Sequence, residues 1–262
     1  MPEPTVKVRM EEDIVCDALR KEMAWALFAQ GMNGDRRVVV CRESGAPLKG
    51  IGMTVSKIQE AISALARGGM IVVVDDEDRE NEGDVIVASE AITPEAVAFM
   101  MNHARGLICV AMEGDRLDAL DIPLMVPRNT EFLKTAFTVS VDYIHGTTTG
   151  ISAADRAATV RALLDEKTVG EDFARPGHIF PLRAHPEGVL GRSGHTEAAV
   201  DLARLAGLKA SGVICEVAND DGTMARLPQL EVFCEKHKLP LITIADLTLY
   251  IQAKREEKAA AA

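Results

Sequence analysis

Carboxylates crowd one stretch of this chain, Asp75-Asp76-Glu77-Asp78-Arg79-Glu80-Asn81-Glu82-Gly83-Asp84. The ordinary reading of such a run is a solvated acidic turn. Its setting argues otherwise. Two Val- and Ile-rich runs, Met70 to Val74 and Val85 to Ala88, flank it and read as strands. The connection is longer than the roughly two to five residues a simple hairpin needs. Like charges packed this closely repel unless a cation compensates for them. Oxygen-rich clusters of this kind suit a hard cation such as Mg²⁺. Arg79 adds a two-pronged donor for a phosphate or a neighbouring carboxylate.

Other stretches carry chemistry too. Gly191-Arg192-Ser193-Gly194-His195-Thr196 precedes a helical pattern. Flexible backbone, an Arg and hydroxyls at a helix N-terminus are the ingredients of a phosphate site. On spacing alone His195 reads as a helix-start residue with no ligand role. Glu216 lies inside the apolar run Val213 to Val217, where burial without a partner costs free energy. Cys109, within Leu107 to Met112, reads as a small buried hydrophobe. Thr147, Thr148 and Thr149 either serve a helix start or bind a polyhydroxylated substrate; the residues alone leave both open.

Elements must position these groups. Ile58, Ala61, Ile62 and Leu65 share one face of a helix from Ser56 to Arg67, closed by Gly68-Gly69. Pro94 opens a helix reaching about His103. Asp115 to Leu120 reads as a short helix. In Phe137 to Asp142, Phe137, Val139 and Val141 alternate with polar residues, the pattern of a half-buried strand. Ser152 and Asp155 form a capping box for a helix over Ala154 to Leu164. Ile179 to Leu182 is extended, and Glu197 to Ala206 is helical and closed by Gly207. Leu230 to Lys238 is a helix, Leu241 to Ile244 a strand, and Leu247 to Lys254 a helix. Glu256 onward is expected to fray. Ahead of all this, Glu11 to Gln30 has helical spacing, Val38 to Val40 reads as a short strand, and Gly45, Pro47, Gly50 and Gly52 mark a loop. Alternating strands and helices imply an α+β fold, layered α/β/α, in which a mixed central sheet is flanked by helices in a single catalytic domain.

With 262 residues, 47% of them hydrophobic, the chain supports one sizeable core. A net charge of −11 argues against nucleic acid and anionic membranes as partners. One Trp and two Tyr offer no base-stacking platform. Cys16, Cys41, Cys109, Cys215 and Cys234 include no C-x-x-C pair, which fits a reducing compartment. The charged N-terminus does not read as a signal peptide, and no apolar run nears the ~20 residues of a membrane span. The expectation is a soluble, cytoplasmic protein.

The acidic decapeptide resembles the acidic loop of the 3,4-dihydroxy-2-butanone 4-phosphate synthases of riboflavin biosynthesis. The resemblance runs from about Val55 to Tyr250. It includes Gly106-Leu107-Ile108-Cys109, Phe137-Thr138-Val139, Thr148 to Arg156, Arg175-Pro176-Gly177-His178, Gly194-His195-Thr196-Glu197, Cys215-Glu216 and Asn219 to Arg226. It implies a lyase that uses Mg²⁺ to convert D-ribulose 5-phosphate into L-3,4-dihydroxy-2-butanone 4-phosphate and formate. Mn²⁺ is expected to substitute, and two ions per site are allowed. By this resemblance Glu80 and His195 are metal ligands. Arg79, Glu80, Asp84, Thr149, Arg192, Ser193, Gly194, His195, Thr196 and Glu216 bind substrate. Glu82, Cys109, His178 and Glu216 take catalytic positions. The partners implied are a sugar phosphate and a second copy of the chain, in a homodimer with sites near the interface.

The organisation expected is an N-terminal extension over 1–52, a catalytic domain over 53–255 and a disordered tail over 256–262. Some family members carry a second domain, GTP cyclohydrolase II; the expectation here is the synthase alone. Rival readings are another metal-dependent phosphosugar enzyme, such as an isomerase or aldolase, and an inactive binding protein.

Overall fold

A computed structural model describes residues 25–30, 36–41 and 55–260. The chain divides into two units, Met1–Thr54 and Val55–Ala262. In the first, β1 (Trp25–Gln30) and β2 (Arg36–Cys41) pair antiparallel, with Trp25 opposite Cys41 and Gln30 opposite Arg36. The strand expected over Val38 to Val40 is present. The helix expected through Gln30 is not, because Trp25–Gln30 is extended. The β-branched run of β2 supplies a partner for its backbone, and pairing overrides helical spacing. The rest of that helix, from Glu11, and the loop after Cys41 lie outside the described residues.

The second unit opens with α1 (Val55–Ala66), β3 (Met70–Val74) and β4 (Gly83–Ala88). Pro94 stands in the first turn of α2 (Pro94–Phe99), where its missing N–H is harmless, and Thr93 caps the helix. A π-helical turn, Met100–Ala104, extends α2 and ends at Arg105 in left-handed backbone, φ 74°. Next come β5 (Cys109–Met112), α3 (Gly114–Ala119), β6 (Val141–Tyr143) and α4 (Ala153–Leu164). The chain closes with β7 (Phe173–Arg183), α5 (His195–Leu205), β8 (Ser211–Glu216), α6 (Leu227–His237), β9 (Leu241–Thr243) and α7 (Ile244–Ala260).

The strands form one mixed seven-stranded sheet in the order β6-β7-β5-β8-β4-β3-β9. Only β5 with β7 and β3 with β9 are parallel. Helices α1, α5 and α7 cover one face, and α2, α4 and α6 the other. Two glycines record how closely the layers approach. A Cβ on Gly212 of β8 would stand 2.9 Å from Ala199 of α5, and one on Gly83 of β4 would stand 2.5 Å from Leu230 of α6. Side chains alternate between faces, so Glu216, in phase with Gly212, lies on the α5 face. Asp84, directly opposite Glu216, lies there too.

Two expectations are corrected. Phe137 to Asp142 is not a continuous strand: Phe137 and Thr138 form isolated bridges, and β6 begins at Val141. The buried groups are Thr138 and Ser140, while Phe137 and Val139 are only half-buried. Thr138 Oγ1 donates to the Pro181 carbonyl at 2.7 Å, and Ser140 Oγ accepts the Gly177 N–H at 3.1 Å. Proline interrupts the ladder of β7 at 176 and 181, and these hydroxyls satisfy backbone groups there. In the tail, α7 stays helical to Ala260, past Glu256.

Candidate active site

The acidic loop is shaped by its own first residue. Asp75, buried, accepts the Glu80 N–H on Oδ2 at 3.0 Å and the Glu82 N–H on Oδ1 at 2.8 Å. Its Oδ2 also takes Arg79 Nη1 at 2.8 Å, and the same nitrogen reaches Glu80 Oε2 at 2.6 Å. Asn81, with φ 55°, supplies the left-handed turn that folds the loop back.

Opposite this loop stands the first turn of α5. Gly194 is its N-cap and provides no side-chain cap. The first N–H groups of the helix therefore point out of its end, where an anion is favoured. Arg192 is turned inward: its guanidinium donates to Glu197 at 2.7 Å and to Thr135 Oγ1 at 2.8 Å.

His195 is buried between the two elements. Its Nε2 lies 3.2 Å from the Val73 carbonyl. A carbonyl only accepts, so Nε2 carries a proton, and in the neutral ring Nδ1 presents a lone pair. That lone pair faces Glu80 Oε2 at 3.4 Å and Asp84 Oδ1 at 3.9 Å. Asp84 Oδ1 is buried with no hydrogen-bond partner among the described residues. With the ring neutral, three electron-rich atoms thus converge, and only Glu80 Oε2 has a donor, Arg79 Nη1; a proton on Nδ1 or a metal ion would compensate for them.

The electrostatics follow. Burial opposes charge on His195, yet the Asp84, Glu80 and Asp75 carboxylates outweigh it and push the imidazole up to about 9. The His195 ring and Arg79 pull the Glu80 carboxyl down to about 2, against the effect of burial. Burial holds Asp84 well above the usual carboxylate range, and burial with neighbouring Glu80 raises Glu82.

Three carboxylate and imidazole groups, Asp75, Glu80 and His195, offer ligand atoms within 4.8 Å of one another. Asp75 Oδ2 already accepts two donors. Glu80 and His195 are the freer pair, and their 3.4 Å separation fits adjacent ligands at ~2.1 Å from one octahedral ion. The carbonyl partner behind His195 is the outer-shell contact a metal-binding imidazole requires.

Neighbouring strands bring further groups to this face. Glu216 Oε2 accepts the Leu107 N–H at 2.8 Å. Cys109 pairs with Ile214, in phase with Glu216, and so shares its face. Burial pushes its thiol far up, leaving it a neutral S–H. Arg79, Glu80, Glu82, Asp84, Cys109, Glu216 and the Arg192 to Thr196 turn therefore gather at one end of the sheet. Thr149 and His178 do not join them. Both are exposed, and His178 binds Asp142 through its backbone N–H at 2.8 Å and its Nδ1 at 2.6 Å. Thr148 and the Gly150 N–H instead bind Asp155.

Sequence reasoning gave no individual role to Asp75, Asp142 or Arg226. Arg226 Nη1 donates to the carbonyls of Glu80, at 2.8 Å, and Asn81. The helix expected from Leu230 begins at Leu227, so Arg226 is its N-cap residue, a position the spacing does not reveal. Asp75 carried no signal separating it from the acids beside it.

The family model for 3,4-dihydroxy-2-butanone 4-phosphate synthase matches residues 59–250. A protein of that name from Agrobacterium fabrum (strain C58 / ATCC 33970) is 74% identical over 206 residues, covering 79% of this chain and 97% of the relative. The riboflavin biosynthesis protein RibBA of Aquifex aeolicus (strain VF5) is 54% identical over 210 residues, 78% of this chain. This chain spans 52% of that relative and 42% and 35% of two similar ones, so it matches about half or less of their length. A crystal structure of a 3,4-dihydroxy-2-butanone 4-phosphate synthase in complex with two magnesium ions superposes with a TM-score of 0.73 at 43% identity, covering 76% of this chain and 97% of the other. The chain belongs to the 3,4-dihydroxy-2-butanone 4-phosphate synthase family.

Proposed function

We propose that this enzyme converts D-ribulose 5-phosphate into L-3,4-dihydroxy-2-butanone 4-phosphate and formate with the help of Mg²⁺, supplying the four-carbon unit of riboflavin. The observation that carries the reading is His195, whose Nδ1 faces Glu80 and Asp84 while Nε2 is held by Val73. Glu80 and His195 would hold the ion; Mn²⁺ substitutes, since an imidazole nitrogen suits it well, and a second ion fits beside the same acidic loop. Bound there, the metal supplies a Lewis acid for oxygens of the ketose as negative charge develops on them.

The chain's own groups do the rest. The Ser193 to Thr196 turn receives the phosphate at the N-terminus of α5, framed by Arg192. Arg79, Asp84, Glu216 and Thr149 orient the hydroxyls. Glu82 and Glu216 exchange protons repeatedly, as enolisation, dehydration and the carbon shift require, and the raised Glu82 carboxyl suits that work. Cys109 contributes a neutral thiol, and His178 a ring aligned by Asp142. Exposed on their own chain, Thr149 and His178 complete the site of a second copy in a homodimer. The setting is cytoplasmic.

The test is incubation with ribulose 5-phosphate and Mg²⁺, assayed for formate. Formate and a four-carbon phosphate are expected, abolished by EDTA and restored by Mg²⁺. An isomeric pentose phosphate without formate would put an isomerase in its place.

A further inference from the structure

We infer that Arg226 is a positioning residue that clamps the acidic loop in its metal-binding shape. The inference rests on the reading of Glu80 as a metal ligand. The peptides around Glu80 are held on two sides. Asp75 takes the N–H groups of Glu80 and Glu82. From the other side Arg226 Nη1 donates to the carbonyls of Glu80, at 2.8 Å, and Asn81. These two carbonyls converge on one nitrogen because Asn81 adopts left-handed backbone, φ 55°. The Glu82 carboxylate lies 3.8 Å from the same nitrogen.

Arg226 is 146 residues from Glu80 and belongs to a different element, the N-cap of α6. As the N-cap residue Arg226 brings a cation near the positive end of the helix dipole, where positive charge is disfavoured. The two loop carbonyls and the Glu82 carboxylate compensate for it. Hydrogen bonds from a charged donor are stronger than neutral ones, so the clamp outweighs that cost. Its removal would free the Glu80–Asn81–Glu82 backbone on one side, leaving the Asp75–Arg79 pair to set where the Glu80 carboxylate points. Outer groups that orient a ligand typically govern metal affinity 10- to 100-fold.

The experiment titrates the full-length protein with Mg²⁺ alone by calorimetry, beside kcat, KM and denaturant unfolding. Arg226→Ala should weaken Mg²⁺ binding about 10-fold and lower kcat more than it raises KM. Arg226→Lys, able to reach one carbonyl, should fall between. Arg204→Ala removes pairs of Arg204 with Glu113 and Asp201 far from the loop and should bind Mg²⁺ like the wild type. Folded Arg226→Ala with wild-type Mg²⁺ affinity and kcat would overturn the clamp. If that variant does not fold, wild-type affinity in Arg226→Lys overturns it equally. Wild-type protein without Mg²⁺ affinity would defeat the lyase reading itself, and the clamp with it.

Discussion

His195 is held by a donor bond on one side and faced by carboxylates on the other, so its protonation and its metal affinity are linked. Its pKa is raised, so below about 9 the metal-free ring carries a proton. An ion binding at Nδ1 must displace that proton. Apparent Mg²⁺ affinity should therefore rise with pH up to about 9 and level off above it. Calorimetry in buffers of different protonation enthalpy should read release of about one proton per ion at neutral pH. Affinity independent of pH would remove His195 from the ligand set. Glu80→Gln keeps size and loses charge, and His195→Ala removes the imidazole. Each should cut turnover by orders of magnitude. Folding should change little in Glu80→Gln, because a part-exposed pair such as Glu80 with Arg79 contributes about 0–1 kcal/mol.

At the scale of elements, the site depends on β5 and β8 meeting closely. The Gly106 N–H donates to the Glu216 carbonyl at 3.0 Å, and the next residue, Leu107, holds the Glu216 side chain. A Cβ at Gly106 would stand 2.5 Å from the Glu216 carbonyl oxygen and 2.6 Å from its nitrogen, and would also strike Oε2. Backbone cannot swing aside as a long side chain does. Gly106→Ala should therefore displace the entry to β5, release Glu216, and cost about 1–3 kcal/mol by denaturant unfolding, with turnover falling further. Wild-type turnover in that variant would mean that Glu216 needs no such anchoring.

For the whole molecule, the gathered groups all belong to residues 55–260, and none to β1 or β2. A chain beginning near Gly52 should fold and release formate from ribulose 5-phosphate. If it is folded and dimeric but inactive, the N-terminal segment contributes to the site. Nothing in their own chain joins Thr149 and His178 to the acidic loop among the described residues. Sedimentation should find a dimer at micromolar concentration. Full activity from a monomer would remove the shared site.

Local chemistry is legible in the residues alone. The acidic run, the Gly-rich turn before α5 and the apolar strands are written in residue type and spacing, and so are Pro94 at a helix start and the Ser152 cap. Tertiary structure decided which of these meet. His195 reaches Glu80 and Asp84 only because β4 lies beside β8 with α5 packed across their shared face. No periodicity encodes that neighbour relation. The same reason explains the misread stretches. Trp25–Gln30 has helical spacing but finds a strand partner, and Thr138 and Ser140 turn inward because a proline-interrupted strand needs their hydroxyls. Arg226 lies ahead of the helix expected from Leu230, and nothing in the spacing marks it. The carbonyls that compensate for it are backbone atoms, which every residue carries and no sequence distinguishes.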